Sequence, residues 1–294
     1  MIPSTRRRAI CTLPLLLALG SQSAPSIAAS CETPARLRFS VIPRGDVKQE
    51  LAALQPLLDT LQQKLGIPVE AYVAPSYGAV VEALASGAVQ LARLGPASYV
   101  SARRADPRLT PFASYANKAS RFQPAGPFYH ALLIVRSDSG IANIEALRGK
   151  RLALVDPEST SGALIPRHVF GKRLGRKLES WFAQVGYSGG HSASLDKLLA
   201  RQIDAAFVSS QNLADEIARN SGKAAHIRVI WRSDAIPGAP FVMRGQLCEG
   251  VKDKIRDAFF NRGGRQSAAV LDSLNVARFV PVSDRDYEIV RAIY

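Results

Sequence analysis

Cysteine is nearly absent, with three in 294 residues, and histidine is little commoner, with four. So few thiols exclude a disulfide-dense scaffold. The histidines and cysteines also fall in no metal-ligand spacing, which argues against a zinc site. No apolar run is long enough to span a bilayer. Low-complexity tracts and short-period repeats are missing, which excludes solenoid and linker-rich architectures. No G-x-S-x-G elbow marks a hydrolase nucleophile. Acidic residues are in deficit, 24 against 38 basic ones, for a formal charge of +14.

What is present suits a large folded core. Hydrophobic residues make up 47% of the chain, enough for one large domain or two medium ones. The N-terminus reads as a signal peptide over residues 1–29: Arg6-Arg7-Arg8, then an apolar stretch from Ala9 to Leu19, then small residues ending at Ile27-Ala28-Ala29. The protein is therefore expected to be exported. Taking off those three arginines lowers +14 by three, to +11. A basic surplus suits nucleic acid, an anionic surface or an anionic ligand. The Lys and Arg clusters are small and scattered, and export argues against nucleic acid. Cys11 leaves with the signal, so Cys31 and Cys248 are the remaining pair. Either they form a disulfide, or Cys31 carries a lipid anchor; the two readings exclude each other.

Hydrophobic periodicity gives two runs of alternating strands and helices. The first has strands at 36–42, 68–73 and 89–94, with helices at 47–65, 79–85 and 97–105. The second has strands at 130–135, 152–155, 183–187, 205–208 and 227–231. Its helices include 194–201 and 211–220. A later apolar run at 241–243, a helix at 251–260 and a strand and helix in 279–294 complete the chain. The rhythm predicts an α/β protein of two lobes with mostly parallel sheets joined by a hinge. The first lobe covers 30–129 and the second 130–235, and 236–294 returns to the first. The crossings are expected at 130–133 and 233–240.

The densest chemistry lies in Asp156-Pro157-Glu158-Ser159-Thr160-Ser161-Gly162, between a strand and a helix. A helix start offers free backbone N–H groups and the positive end of the helix dipole. One hydroxyl suffices for an N-cap. Three in a row point to an oxyanion.

At this point the chain resembles the periplasmic substrate-binding proteins of phosphate, phosphite and phosphonate ABC transporters. The matching pieces are Ser76-Tyr77, Leu94-Gly95-Pro96-Ala97-Ser98-Tyr99, Phe128-Tyr129-His130, the Ser159-Thr160-Ser161-Gly162 run, Gly189-Gly190-His191, Ile203-Asp204 and Ile230-Trp231-Arg232-Ser233. The resemblance implies a type II periplasmic binding fold. It places Ser159, Thr160, Ser161 and His191 on the phosphonyl oxygens, with Tyr77 and Tyr99 lining the cleft. It implies a monomer that binds a small oxyanion, docks on an ABC permease and needs no cofactor, no metal and no nucleic acid. Amine-binding members of the family carry carboxylates where this chain has Val208 to Asn212 and Pro237 to Pro240, which hold none, and an acid where it has Ser192. The expected ligand therefore lacks an amine. Arg44 is a candidate for the cleft rim, and Asp204 is expected to be structural. Two rivals stand beside this reading: a ligand-binding sensor for a membrane signalling partner, and a Ser/His hydrolase built on Ser159 or Ser161 with His191.

Overall fold

The structure, a computed structural model, describes Met1, residues 31–261 and residues 267–293. The expected signal peptide lies outside the described residues.

The first run of elements is β1 (Leu37–Val41), α1 (Val47–Leu65), β2 (Val69–Tyr72), α2 (Tyr77–Ser86), β3 (Leu91–Arg93), α3 (Pro96–Ala105) and β4 (Thr110–Asn117). After β5 (Phe128–Tyr129) come β6 (Ala131–Arg136) and β7 (Arg151–Leu154). A helical run follows that is π-helical over Thr160–Leu164 and Pro166–Phe170 and ends in α4 (Gly171–Leu174). Then come β8 (Gln184–Tyr187), α5 (His191–Leu199), β9 (Ala205–Ser209), α6 (Ser210–Arg219) and β10 (Ile227–Arg232). The chain returns through β11 (Ile236–Pro237), β12 (Phe241–Met243), α7 (Glu249–Phe260), α8 (Ala268–Ser273), β13 (Val276–Pro281) and α9 (Glu288–Arg291).

Two sheets organise these elements. Lobe 1 is built on a six-stranded sheet, ordered β13-β4-β12-β3-β1-β2. Lobe 2 is built on a five-stranded sheet, ordered β10-β6-β9-β7-β8. The βαβ parts, β2-β1-β3 and β8-β7-β9, are parallel; the strands that leave or re-enter a lobe pair antiparallel. The chain passes between lobes at Phe128–Tyr129 and Ile236–Pro237, which form their own two-stranded antiparallel ladder. The outgoing crossing thus lies just before the stretch read from sequence.

Local sequence explains the elements that frame the cleft. In α1, Leu54, Leu57, Leu58, Leu61 and Leu65 recur at helical spacing and are buried. Asp46 caps its start by accepting from the Lys48 and Gln49 N–H groups, and Gly66, with φ of 72°, stops it. The lobe 1 core closes around Phe241, whose ring meets Phe259 at 4.7 Å and Tyr115 at 5.3 Å. In lobe 2, Phe170, Phe207 and Trp231 form the corresponding aromatic cluster.

The elements β4 and α8 go beyond the sequence reading, as do the short crossing strands β5 and β11. Seven of the eight β4 residues are buried, so its two faces show no polar alternation. A disulfide joins Cys31 to Cys248, across a sequence separation of 217. The bridged cysteine has no free thiol to take a lipid. Beside the bridge, Arg244 pairs with Glu32 at 2.8 Å, tying the first described segment to the loop before α7.

Candidate functional site

Five helices begin around one small pocket between the lobes. Tyr77 opens α2, Gly95 is the N-cap of α3, Ser159 caps the π-helical run, His191 opens α5 and Ser209 caps α6. All five residues line the pocket, whose volume is about 20 Å³. Each helix directs free N–H groups and the positive end of its dipole at the same point. Two helices come from lobe 1 and three from lobe 2, so the field is strongest when the lobes meet.

The hydroxyl run is shaped by its neighbours. The Ser159 hydroxyl accepts from the Gly162 N–H at 3.1 Å, leaving its proton to donate elsewhere. Gly162 is required because a Cβ there would lie 2.4 Å from the Val155 side chain. The helix start therefore packs directly on the end of β7. The Thr160 Oγ1 accepts from the Ala97 N–H at 2.8 Å, a bond between lobes. Ser98 donates to the Glu158 carbonyl across the same junction. Thr160 and Ser161 also face the Tyr129 hydroxyl and pull its pKa down, but burial outweighs them and pushes it up to about 12. All three residues of the run are at most 2% exposed.

His191 is held from both lobes. Its N–H donates to the Arg44 carbonyl at 2.7 Å. Its Nδ1 accepts from the Ser209 N–H at 3.1 Å. An Nδ1 that accepts carries no proton, so Nε2 bears the hydrogen of the neutral ring. Burial, aided by the nearby Arg44 charge, lowers the imidazole pKa to about 3. The ring is a neutral donor at physiological pH. With Nδ1 occupied by a main-chain N–H rather than a carboxylate, the orienting contact of a Ser/His relay is missing.

The structure brings Ser159, Thr160, Ser161, His191 and Tyr77 together around the pocket, and it places Tyr99 elsewhere. The Tyr99 hydroxyl donates to Asp284 at 2.6 Å and its ring packs on Tyr287 at 4.9 Å, inside lobe 1. Tyr99 lies one turn into α3 and turns toward α9, while Ser98 turns toward lobe 2. The aromatic beside the pocket is instead Tyr129, at the crossing. Tyr77 is 1% exposed, and its hydroxyl has no hydrogen-bond partner among the described residues, which leaves a donor at the pocket wall.

Arg44 sits deeper than a rim residue. It lines the pocket, pairs with Glu50 and donates to the Asn212 side chain of lobe 2 at 3.3 Å. Burial works against its charge, but Glu50 more than offsets this and the guanidinium pKa rises. The pocket therefore has a full positive charge as well as neutral donors. The sequence signal was modest: one arginine in the turn after β1. Asp204 lies away from the pocket and pairs with Arg151 at 3.0 Å. Gln211 and Ala239 line the pocket, as the neutral stretches suggested. Ser192 donates to Glu216 instead of facing the pocket centre. The sequence argument for neutral walls missed carboxylates in the space next to the pocket: Glu50, paired with Arg44, and Asp215, a turn beyond Gln211 on α6, both line it, with Asp46 at its edge.

Residues 39–287 match the family model described as the ABC transporter, phosphonate, periplasmic substrate-binding protein. The chain belongs to this family. It is 31% identical over 264 residues to the phosphonates-binding periplasmic protein of Escherichia coli K12, covering 87% of this chain and 75% of that one. It is 26% identical over 304 residues to the phosphate-import protein PhnD of Mycolicibacterium smegmatis, covering 97% and 93%. Among solved structures, PhnD1 of Prochlorococcus marinus in complex with methylphosphonate shares the fold, with a TM-score of 0.75 at 19% identity, covering 89% of this chain and 97% of that one. Members of this family are solute-binding components of ABC importers. The two sheets and the pocket between them are the type II periplasmic binding architecture.

Proposed function

We propose that this substrate-binding protein captures a phosphorus oxyanion without an amine (phosphonate, phosphite or phosphate) in the pocket of Ser159, Thr160, Ser161 and His191. It then presents the closed complex to an ABC permease. The observation that carries this reading is the convergence of five helix starts on three hydroxyls, with Arg44 beside them. A tetrahedral oxyanion offers several acceptor oxygens, and the pocket offers almost only donors. Tyr77, Ser159 and the Nε2 of His191 supply hydrogens from three directions. The relatives named for phosphonates and phosphate, and the relative solved with methylphosphonate, support the same ligand class. Residues 1–29 as a cleaved signal peptide and a monomeric mature form belong to the same proposal.

Calorimetry with phosphate, phosphite, methylphosphonate and 2-aminoethylphosphonate tests it. At least one of the first three should bind more tightly than the amine. Each hydrogen bond to a charged group is worth about 1.5–3 kcal/mol. Ser159→Ala with Ser161→Ala should thus lower affinity by two orders of magnitude or more, with the melting curve retained. Unchanged affinity in the folded double variant refutes the assignment.

A further inference from the structure

Past Arg44, Gln211 and Asn212 the oxyanion pocket opens into a second chamber of about 410 Å³, also walled by both lobes. The small pocket has room for little more than an oxyanion head. A head group with nothing attached would leave the chamber to water.

The charges of this chamber are nearly all matched. Glu50 pairs with Arg44 and, at 3.0 Å, with Arg93. Arg219 pairs with Glu216 at 2.7 Å. Asp46 is an exposed helix cap. Asp215 makes no hydrogen bond or ion pair with any described residue and borders the chamber. Desolvation raises its pKa to about 6, against the pull of Arg44 and Arg93. The Gln211 carbonyl oxygen is turned to Arg93, at 3.5 Å, so its amide hydrogens remain as donors.

We propose that the chamber takes a hydroxylated alkyl substituent carried on the phosphorus head group, with Asp215 accepting a hydrogen bond from the hydroxyl. This rests on the oxyanion reading of the small pocket. A plain alkyl group would cover the Asp215 carboxylate without giving it a donor, and a desolvated charge with no partner is costly. A carboxylate substituent would face both Asp215 and Glu50. An ammonium would meet Asp215 but also the surplus positive charge of Arg44, Arg93 and Glu50 taken together. A hydroxyl satisfies both sides: it donates to Asp215 and accepts from the Gln211 amide. The substituent can be joined through carbon, as in a hydroxyalkylphosphonate, or through oxygen, as in a hydroxyalkyl phosphate ester.

The test is calorimetry at pH 7.5 on the mature chain with methyl-, ethyl-, 2-hydroxyethyl- and 2-aminoethylphosphonate and with glycerol 3-phosphate. The hydroxyethyl compound should bind about tenfold more tightly than the ethyl one, as one added hydrogen bond to a charged group implies. In Asp215→Ala the ratio of hydroxyethyl to methyl affinity should fall about tenfold, while Asp215→Asn, which keeps an acceptor, should retain part of it. Methylphosphonate binding shows in the same samples that each variant is folded. Glycerol 3-phosphate binding above 2-hydroxyethylphosphonate assigns the ester source, and the reverse order assigns the phosphonate source. Equal affinity for ethyl and hydroxyethyl compounds, tightest binding of the aminoethyl compound, or an unchanged ratio in Asp215→Ala overturns the proposal and leaves the head-group reading standing. Failure of every compound to bind overturns the head-group reading itself.

Discussion

The Thr160 hydroxyl oxygen accepts a hydrogen bond from the backbone of Ala97 at 2.8 Å. One residue belongs to the hydroxyl run of lobe 2, the other to the first turn of α3 in lobe 1. The middle hydroxyl of the run therefore latches the lobes, while its neighbours remain for a ligand. A second latch lies opposite, where the Arg44 carbonyl accepts from the His191 N–H. Binding and closure thus use adjacent atoms of the same segments.

Gly45 should be a point where closure can be blocked without touching the ligand. A Cβ on Gly45 would lie 2.4 Å from the Ser192 Oγ of lobe 2. Gly45→Ala is expected to hold the lobes apart and lower affinity about tenfold through a smaller closed population. Small-angle scattering with saturating ligand should show a larger radius of gyration than the native protein. Adding Ser192→Gly removes the opposing atom and should restore both values. No rescue would mean that the clash is not what limits closure.

His191 should make the protein less stable in acid. Its folded pKa is about 3, below the ordinary 6.5 of the free ring. As pH falls below 6.5 the unfolded chain takes a proton that the native ring refuses. Stability is therefore full above that pH and declines as pH falls toward 3. At pH 5, about 1.5 pH units below the free value, the loss is about 2 kcal/mol. Denaturant titrations of the native protein and His191→Gln at pH 7.5 and pH 5 isolate this share, and the variant should show the smaller drop. Equal drops would mean that the ring is protonated in the folded state.

The Cys31–Cys248 bridge should stabilise the fold with little effect on the pocket, since neither cysteine lines it. Replacing both by serine is expected to cost about 2–4 kcal/mol. Calorimetric affinity for the same ligand should change by less than a factor of two or so, because cost in stability and cost in binding are separate at distant sites. A large loss of affinity at a temperature where the variant is folded would show that the bridge also shapes the cleft.

Much of the scaffold was legible because its strands and helices are locally consistent. The leucine spacing of α1, its Asp46 cap and its Gly66 stop all point the same way. The Ser159 to Gly162 run was legible because three hydroxyls exceed what a cap needs. What stayed hidden depended on the third dimension. Tyr99 and Tyr129 each lie beside a turn, and only the packing of α3 against α9 turns Tyr99 inward. Arg44 gave no periodic or motif signal, since its role arises from Glu50 on α1 and Asn212 in the other lobe. Asp215 sits one helical turn past the stretch searched for carboxylates. The neutral state of His191 follows from the Ser209 N–H, 18 residues away in sequence.

The position of β12 has a consequence for how the chain assembles. Phe241–Met243 pairs with β3 on one side and β4 on the other. Until that short strand arrives, the strands of lobe 1 made early in synthesis are a β2-β1-β3 ribbon and a lone β4, both with open edges, while every strand of lobe 2 lies within residues 131–232. Lobe 2 can complete its sheet from contiguous chain. Lobe 1 must wait for the far end of the polypeptide, and its unpaired edges are exposed to other chains in the meantime. The insertion that creates a cleft between two sheets also makes one of them the late, aggregation-sensitive half of the molecule.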